Sequence, residues 1–172
     1  MIHHRQIIRG SFLDWANDMG WQSPFAVTLT FKQGIVLNST YIPLNPLEAS
    51  KNIQCFLRFL DYSTLGKSAQ RYGRKLTSVG AFERTCGTGL HAHFCIDKPP
   101  RLSDEEFQGA IISSWNKTWF ANVQTDVKPC TDLRGWISYI AKYKTKSDYA
   151  DAFDWMNVRT GRRVNLLPTS NL

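Results

Sequence analysis

The sequence predicts an α+β fold in which an antiparallel sheet carries packed helices on one face and a polar site on the other. Three observations lead there. Two-residue alternation marks strands, as in Phe25, Val27, Leu29 and Phe31 against Ala26, Thr28, Thr30 and Lys32. Helix-start signals stand between the strands, at Asn45-Pro46 and at Ser103 to Glu106. No linker separates these segments. The 172 residues therefore read as one domain, with a core over about 25–146 and an irregular basic tail over 147–172.

The elements follow in order. Residues 1–20 are mixed, with a short helix expected around Asp14, Trp15 and Ala16. Phe25 to Lys32 is the first strand. Asn45 caps a helix that starts on Pro46 and carries Leu47, Ile53, Phe56, Leu57 and Leu60 to about Tyr62. Gly66 to Lys75 is polar, holds Lys67, Arg71, Tyr72, Arg74 and Lys75, and reads as an exposed basic loop. Leu76 to Thr85 and Leu90 to Ile96 are strands around a Gly-Thr-Gly turn, and Pro99-Pro100 closes that unit. Ser103 and Glu106 have capping-box spacing, and their helix should run to about Lys117. Val123 to Lys128 alternates again. Asp132 can cap a last helix through about Thr145. Trp115, Trp119 and Trp136 fall at helical spacing expected of core positions. Strand, helix, strand, strand, helix, strand, helix is the order of a split βαβ, or ferredoxin-like, arrangement.

Composition narrows the partners. Lys and Arg outnumber Asp and Glu by 21 to 14, a formal charge of +7 that favours a polyanion. The four cysteines, Cys55, Cys86, Cys95 and Cys130, lack CxxC spacing and read as free thiols. Met1 to Arg5 lacks the apolar segment of a signal peptide, and no apolar run approaches the ~18 residues that span a bilayer. A cytoplasmic protein of the host cell, with no membrane partner, is the expectation. Gly66-Lys67-Ser68 ends like a phosphate-binding loop but lacks its first glycine, so any unwinding would need a separate helicase.

Two constellations carry chemistry. His91 and His93 flank Ala92 in a strand, so their imidazoles project from one face. If Cys86-Gly87-Thr88 is a three-residue loop, Glu83 sits opposite His91 on that face, and the three side chains suit Mg²⁺ or Mn²⁺. If the turn is only Gly87-Thr88, the register slips by one and Glu83 faces away. In the last helix, Leu133, Trp136, Ile137 and Ile140 form an apolar arc at about 100° per residue, and Tyr139, Lys142, Tyr143 and Lys146 form the arc beside it. A phenol is a weak nucleophile near neutral pH, because its ordinary pKa is about 10; neighbouring ammonium groups favour the phenolate.

Taken together and in this order, the Thr-containing strand Phe25–Phe31, His91-Ala92-His93 and the Tyr139/Tyr143 helix resemble the HUH endonuclease superfamily. That superfamily includes rolling-circle replication initiators, conjugative relaxases and some transposases. The two-tyrosine spacing is similar to that of replication initiators of single-stranded DNA phages. Ala92 is small where the family usually has a bulky apolar residue. The resemblance implies cleavage of single-stranded or hairpin DNA by tyrosine attack, a 5′-phosphotyrosine intermediate, a free 3′ hydroxyl, and later rejoining. It implies Tyr139 as first nucleophile, Tyr143 as second or auxiliary nucleophile, Lys142 and Lys146 as assisting charges, and His91, His93 and Glu83 as metal ligands. Initiation of rolling-circle replication is the expected role. A transposase or relaxase using the same chemistry is an alternative, as is a non-catalytic nucleic-acid-binding domain of the same fold. Candidate DNA contacts are Lys67, Arg71, Tyr72, Arg74 and Lys75, and separately Arg159, Arg162 and Arg163.

Overall fold

A computed structural model describes residues 2–85, 89–142 and 153–160. Helix α1 spans Ile2–Asn17 and strand β1 Pro24–Phe31; β2 (Gly34–Leu37) and β3 (Thr40–Pro43) form a separate hairpin. Helices α2 (Pro46–Leu65) and α3 (Lys67–Tyr72) precede β4 (Ser78–Thr85) and β5 (Gly89–Asp97). Helix α4 (Asp104–Asn116), β6 (Ala121–Pro129), α5 (Leu133–Ile140) and a 3₁₀ turn at Trp155–Asn157 complete the order. The sheet runs β4-β5-β1-β6, with every neighbouring pair antiparallel. Helices α2 and α4 join strands that are not neighbours in the sheet, which is the expected ferredoxin-like plan.

Two of the caps read from sequence hold the helices behind the sheet. Asn45 accepts from the Glu48 N–H, and Pro46 opens α2. Ser103 accepts from the Glu106 N–H while Glu106 accepts from the Ser103 N–H, a reciprocal capping box. Both helices bury their apolar sides on one sheet face, against Phe25, Val27, Leu29, Phe31, Ala92, Phe94 and Ile96. Trp115 is fully buried there, edge-on to Phe31 and Phe56. Gly80 lies opposite Phe94, and a Cβ on Gly80 would collide with that ring, so the packing needs glycine.

Several elements differ from expectation. The short N-terminal helix is a full α1, because Phe12, Ala16 and Met19 bury against Val79, Ala81, Ile137 and Phe153 on part of the second sheet face. The basic segment after Gly66 contains α3, closed by Gly73 at φ 59°. Its Lys67, Arg71 and Tyr72, with Arg74 and Lys75 beyond it, are nonetheless exposed. Trp119 is 60% exposed and is not core. Among the described residues no helix is long and apolar enough to cross a membrane.

Residues 153–159 return to β4, with bridges Ser78–Arg159 and Ala81–Phe153. A buried ion pair fixes the return: Arg159 Nη1 lies 2.5 Å from Asp61 Oδ2, and Asp61 Oδ1 accepts from the Leu76 N–H at 3.0 Å. Burial pushes the Asp61 carboxyl up, against the Leu76 N–H and the Arg159 charge, which pull it down. Asp61→Ala strands a buried guanidinium and should cost about 3–5 kcal/mol, read as a lower urea midpoint. A loss below ~1 kcal/mol would mean that the guanidinium finds solvent.

Candidate metal centre and tyrosine helix

The register answers the question left open at the hairpin. Thr85 pairs with Gly89 and Glu83 with His91, so three residues separate the paired strand ends and Glu83 shares a face with both histidines. Gly89 has φ 68°, the left-handed conformation that glycine favours. Residues 86–88 themselves, Cys86 included, lie outside the described set. Across the sheet, Thr28 stands opposite His93 and Thr30 opposite His91, so the polar alternation of β1 lies on the histidine face.

Glu83, His91 and His93 are all buried, and one potential ligand atom from each lies within 4.8 Å of the others. Glu83 Oε2 is 3.0 Å from His93 Nε2 and 3.4 Å from His91 Nε2. The opposite ring nitrogens are occupied. His93 Nδ1 lies 3.0 Å from Thr28 Oγ1, and His91 Nδ1 lies 3.4 Å from the Gly89 carbonyl. With Nδ1 protonated and donating, each ring turns an Nε2 lone pair toward the carboxylate, as metal-ligating histidines do. The donor set therefore fits a divalent cation held by two imidazoles and Glu83 Oε2.

Burial first, and then the neighbouring His91, bring the pKa of His93 down to about 4 against the opposing pull of Glu83. His93 is thus neutral at pH 7, the form a metal requires. The folded value is below the unfolded value of about 6.5, so the stability it supports is complete above pH 6.5 and lost as pH falls through about 4. In EDTA, the melting temperature should drop across that window. His93→Gln should flatten the drop, and an unchanged profile would mean that His93 does not drive it.

The last helix brings the phenol to this cluster. Asp132 accepts from the Gly135 N–H and starts α5. Ile137 and Ile140 pack into the core, and the Trp136 Nε1–H donates to the Phe94 carbonyl at 3.0 Å. Tyr139 stacks on Trp136, with centroids 5.2 Å apart and planes 10° apart, and meets the His93 ring edge-on at 5.0 Å. It remains 40% exposed.

Helix α5 is shorter than expected within the described residues, and residues 143–145 of the expected run lie outside them. The helix ends at Ile140, because Arg9 of α1 donates to the Ala141 carbonyl and to Ser138 Oγ, a tertiary cap. Lys142 therefore leaves the helical arc predicted for it. Its Nζ lies 3.0 Å from Glu83 Oε1 and 3.9 Å from the Tyr139 ring centroid. Burial pulls the Lys142 pKa down, but bonding to Tyr139 and Glu83 and their charges raise it on balance, so the ammonium is held charged. Glu83 thus presents Oε2 to the imidazoles and Oε1 to Lys142.

Tyr143, Lys146, Arg162 and Arg163 lie outside the described residues. Arg159 is described, and it pairs with Asp61. Thr28 meets His93 from the face that the alternation of β1 gives it. Two other supporting residues were missed by sequence reasoning. Trp136 reads only as core, and Arg9 carries no signal, because its partner is 132 positions away.

No family model and no curated protein sequence matches the chain. Among solved structures it is similar to the N-terminal nuclease domain of non-structural protein 1 of minute virus of mice. That likeness has 11% identity and a TM-score of 0.33, over 63% of this chain and 59% of the other. The viral domain is described as coordinating Zn²⁺ in its active-site pocket and recognising DNA at the origin of replication.

Proposed function

We propose that the protein is a metal-dependent, site-specific single-stranded DNA endonuclease and strand transferase of HUH type, with Tyr139 as its nucleophile. One observation carries this reading: a buried Glu83–His91–His93 cluster faces an exposed tyrosine 5.0 Å from His93, with Lys142 contacting both the carboxylate and the phenol ring. A structural histidine pair alone would not require a charged lysine and a half-exposed phenol at the same spot.

In the proposed reaction the Tyr139 oxygen attacks a DNA phosphorus. The P–O bond to the 3′ oxygen breaks, the phenolic proton is lost, and the departing oxygen gains a proton to become a 3′ hydroxyl. Protein and DNA are then joined by a 5′-phosphotyrosine ester, which a later 3′ hydroxyl can reverse. Lys142 favours the phenolate by charge, and stacking on Trp136 limits the ring's rotation. A cation at the cluster, when bound, would withdraw charge from the phosphate. Of Mg²⁺ and Mn²⁺, two imidazole donors favour Mn²⁺, since Mg²⁺ prefers oxygen. Tyr143 and Lys146 are proposed to form a second nucleophile and its assisting charge. Single-stranded or hairpin origins are the proposed substrate, rolling-circle initiation the proposed role, and a separate helicase the proposed companion.

The test is incubation with labelled single-stranded DNA and Mn²⁺. The expected product is a covalent adduct on a denaturing gel, with a phosphotyrosyl peptide containing Tyr139 and an extendable 3′ end on the released strand. Binding that survives EDTA, with no adduct under Mn²⁺, Mg²⁺ or Zn²⁺, would overturn the enzyme in favour of a non-catalytic binder.

A further inference from the structure

A cavity of about 380 Å³ opens between α2 and the segment joining α3 to β4, lined by Arg58, Asp61, Tyr62, Arg74, Lys75 and Arg159 among others. Its one carboxylate is committed: Asp61 holds Arg159 with one oxygen and the Leu76 N–H with the other. Among the described residues, Arg58, Arg74 and Lys75 enter no ion pair. Arg74 reaches only the Ser68 hydroxyl, at 3.5 Å. Three solvated cations around one hollow repel each other, and a bound anion relieves that repulsion. Tyr62, 44% exposed, adds a ring for base stacking.

From this arrangement we propose that the cavity is a second nucleic-acid-binding site that grips the sugar–phosphate backbone away from the reacting tyrosine. A second hollow of about 320 Å³ shares Arg74 and Lys75 with the first. The two cations thus stand on a rim between two depressions, where they reach successive phosphates of a polymer more naturally than one free anion. The site is remote from Glu83. Arg159 bridges to Ser78, and Glu83 lies five residues further along β4, roughly 17 Å at the rise of an extended strand. Of the described basic residues singled out in sequence, Arg74, Lys75 and the Asp61-paired Arg159 line the hollow, while Lys67 and Arg71 do not; Arg58, on α2, completes it. The proposal rests on the nucleic-acid reading of this chain and not on the tyrosine chemistry.

The test is fluorescence anisotropy of a labelled single-stranded oligonucleotide with the full chain, titrated between 50 and 200 mM salt. The Arg58→Ala, Arg74→Ala, Lys75→Ala variant alters only exposed side chains, and its fold is checked by thermal melting. Its affinity should fall at least about tenfold at low salt. Its log K against log salt slope should shrink by about two, since each single-strand phosphate contact contributes about 0.7. A control variant removing charge at Lys51 and Lys117, which line neither hollow, should keep the slope. Equal losses in both variants, or an unchanged slope in the first, would overturn the site. So would inorganic phosphate that protects the cavity residues while oligonucleotide binding ignores them. The triple variant should still form the covalent adduct at saturating oligonucleotide. If the wild type binds through the cavity but forms no adduct, the tyrosine reading falls and the cavity stands; if adducts form without any cavity dependence, the reverse holds.

Discussion

Replacing Tyr139 and Tyr143 together with phenylalanine is expected to abolish covalent capture of single-stranded DNA. Tyr139→Phe alone should slow capture by about three orders of magnitude or more, the scale on which enzymes respond to losing a nucleophile. Phenylalanine keeps the stack on Trp136 and the edge contact with His93, so fold and metal binding should persist. The loss would then report on the oxygen alone. The measurement is adduct formation under single-turnover conditions, with DNA affinity followed in parallel. Undiminished adduct in the double variant would remove tyrosine from the chemistry. Full activity in Tyr139→Phe with loss in Tyr143→Phe would transfer the role to Tyr143 and leave Tyr139 as a packing residue.

Loss of the cation site should be nearly as severe. His93→Ala or His91→Ala removes one of three donors, and adduct formation should fall more than about a hundredfold, since even outer-shell changes cost about 10–100-fold. Mn²⁺ binding by calorimetry should weaken in step. Glu83→Gln retains the side chain's shape but not its charge. It should weaken the cation and also loosen Lys142, whose Nζ lies 3.0 Å from Glu83 Oε1. Because Lys142 is about one-third exposed, water can take over that contact, and the variant should fold. Wild-type rates unaltered by EDTA would refute the metal requirement whatever these variants did.

What the sequence discloses follows what is local. Strand β1 alternates apolar and polar letters, so period-two patterning shows it; β5 is buried on both faces, and its alternation of Leu90, Ala92, Phe94 and Ile96 with His91 and His93 is one of chemistry and not of exposure. Asn45 and Ser103 satisfy orphan N–H groups within three residues, so their caps are visible as short motifs. The pairing of Glu83 with His91 is not visible, because loops of two and three residues both fit the same letters. The β2–β3 hairpin escapes for another reason. Val36 and Tyr41 are exposed, and its turn uses Asn38 and Ser39, both at positive φ, instead of the glycine that usually announces one. The end of α5 is a tertiary effect. Arg9 caps it from α1, and that is why Lys142 turns toward Glu83 instead of following the helical arc. The chemistry-bearing residues are therefore legible as types and spacing, while their meeting depends on contacts across the whole chain.

The return of residues 153–159 to β4 has a further consequence, for self-association. In the order β4-β5-β1-β6, β4 is an outer strand, and an outer strand with unpaired N–H and C=O groups is a template for another chain. The bridges at Ser78 and Ala81 occupy part of that template from within the molecule, and the Asp61–Arg159 pair fastens them. A chain that loses this fastening uncovers backbone on the same strand that carries Glu83. Its first failure would then be strand-to-strand aggregation, preceding any change in the reacting groups.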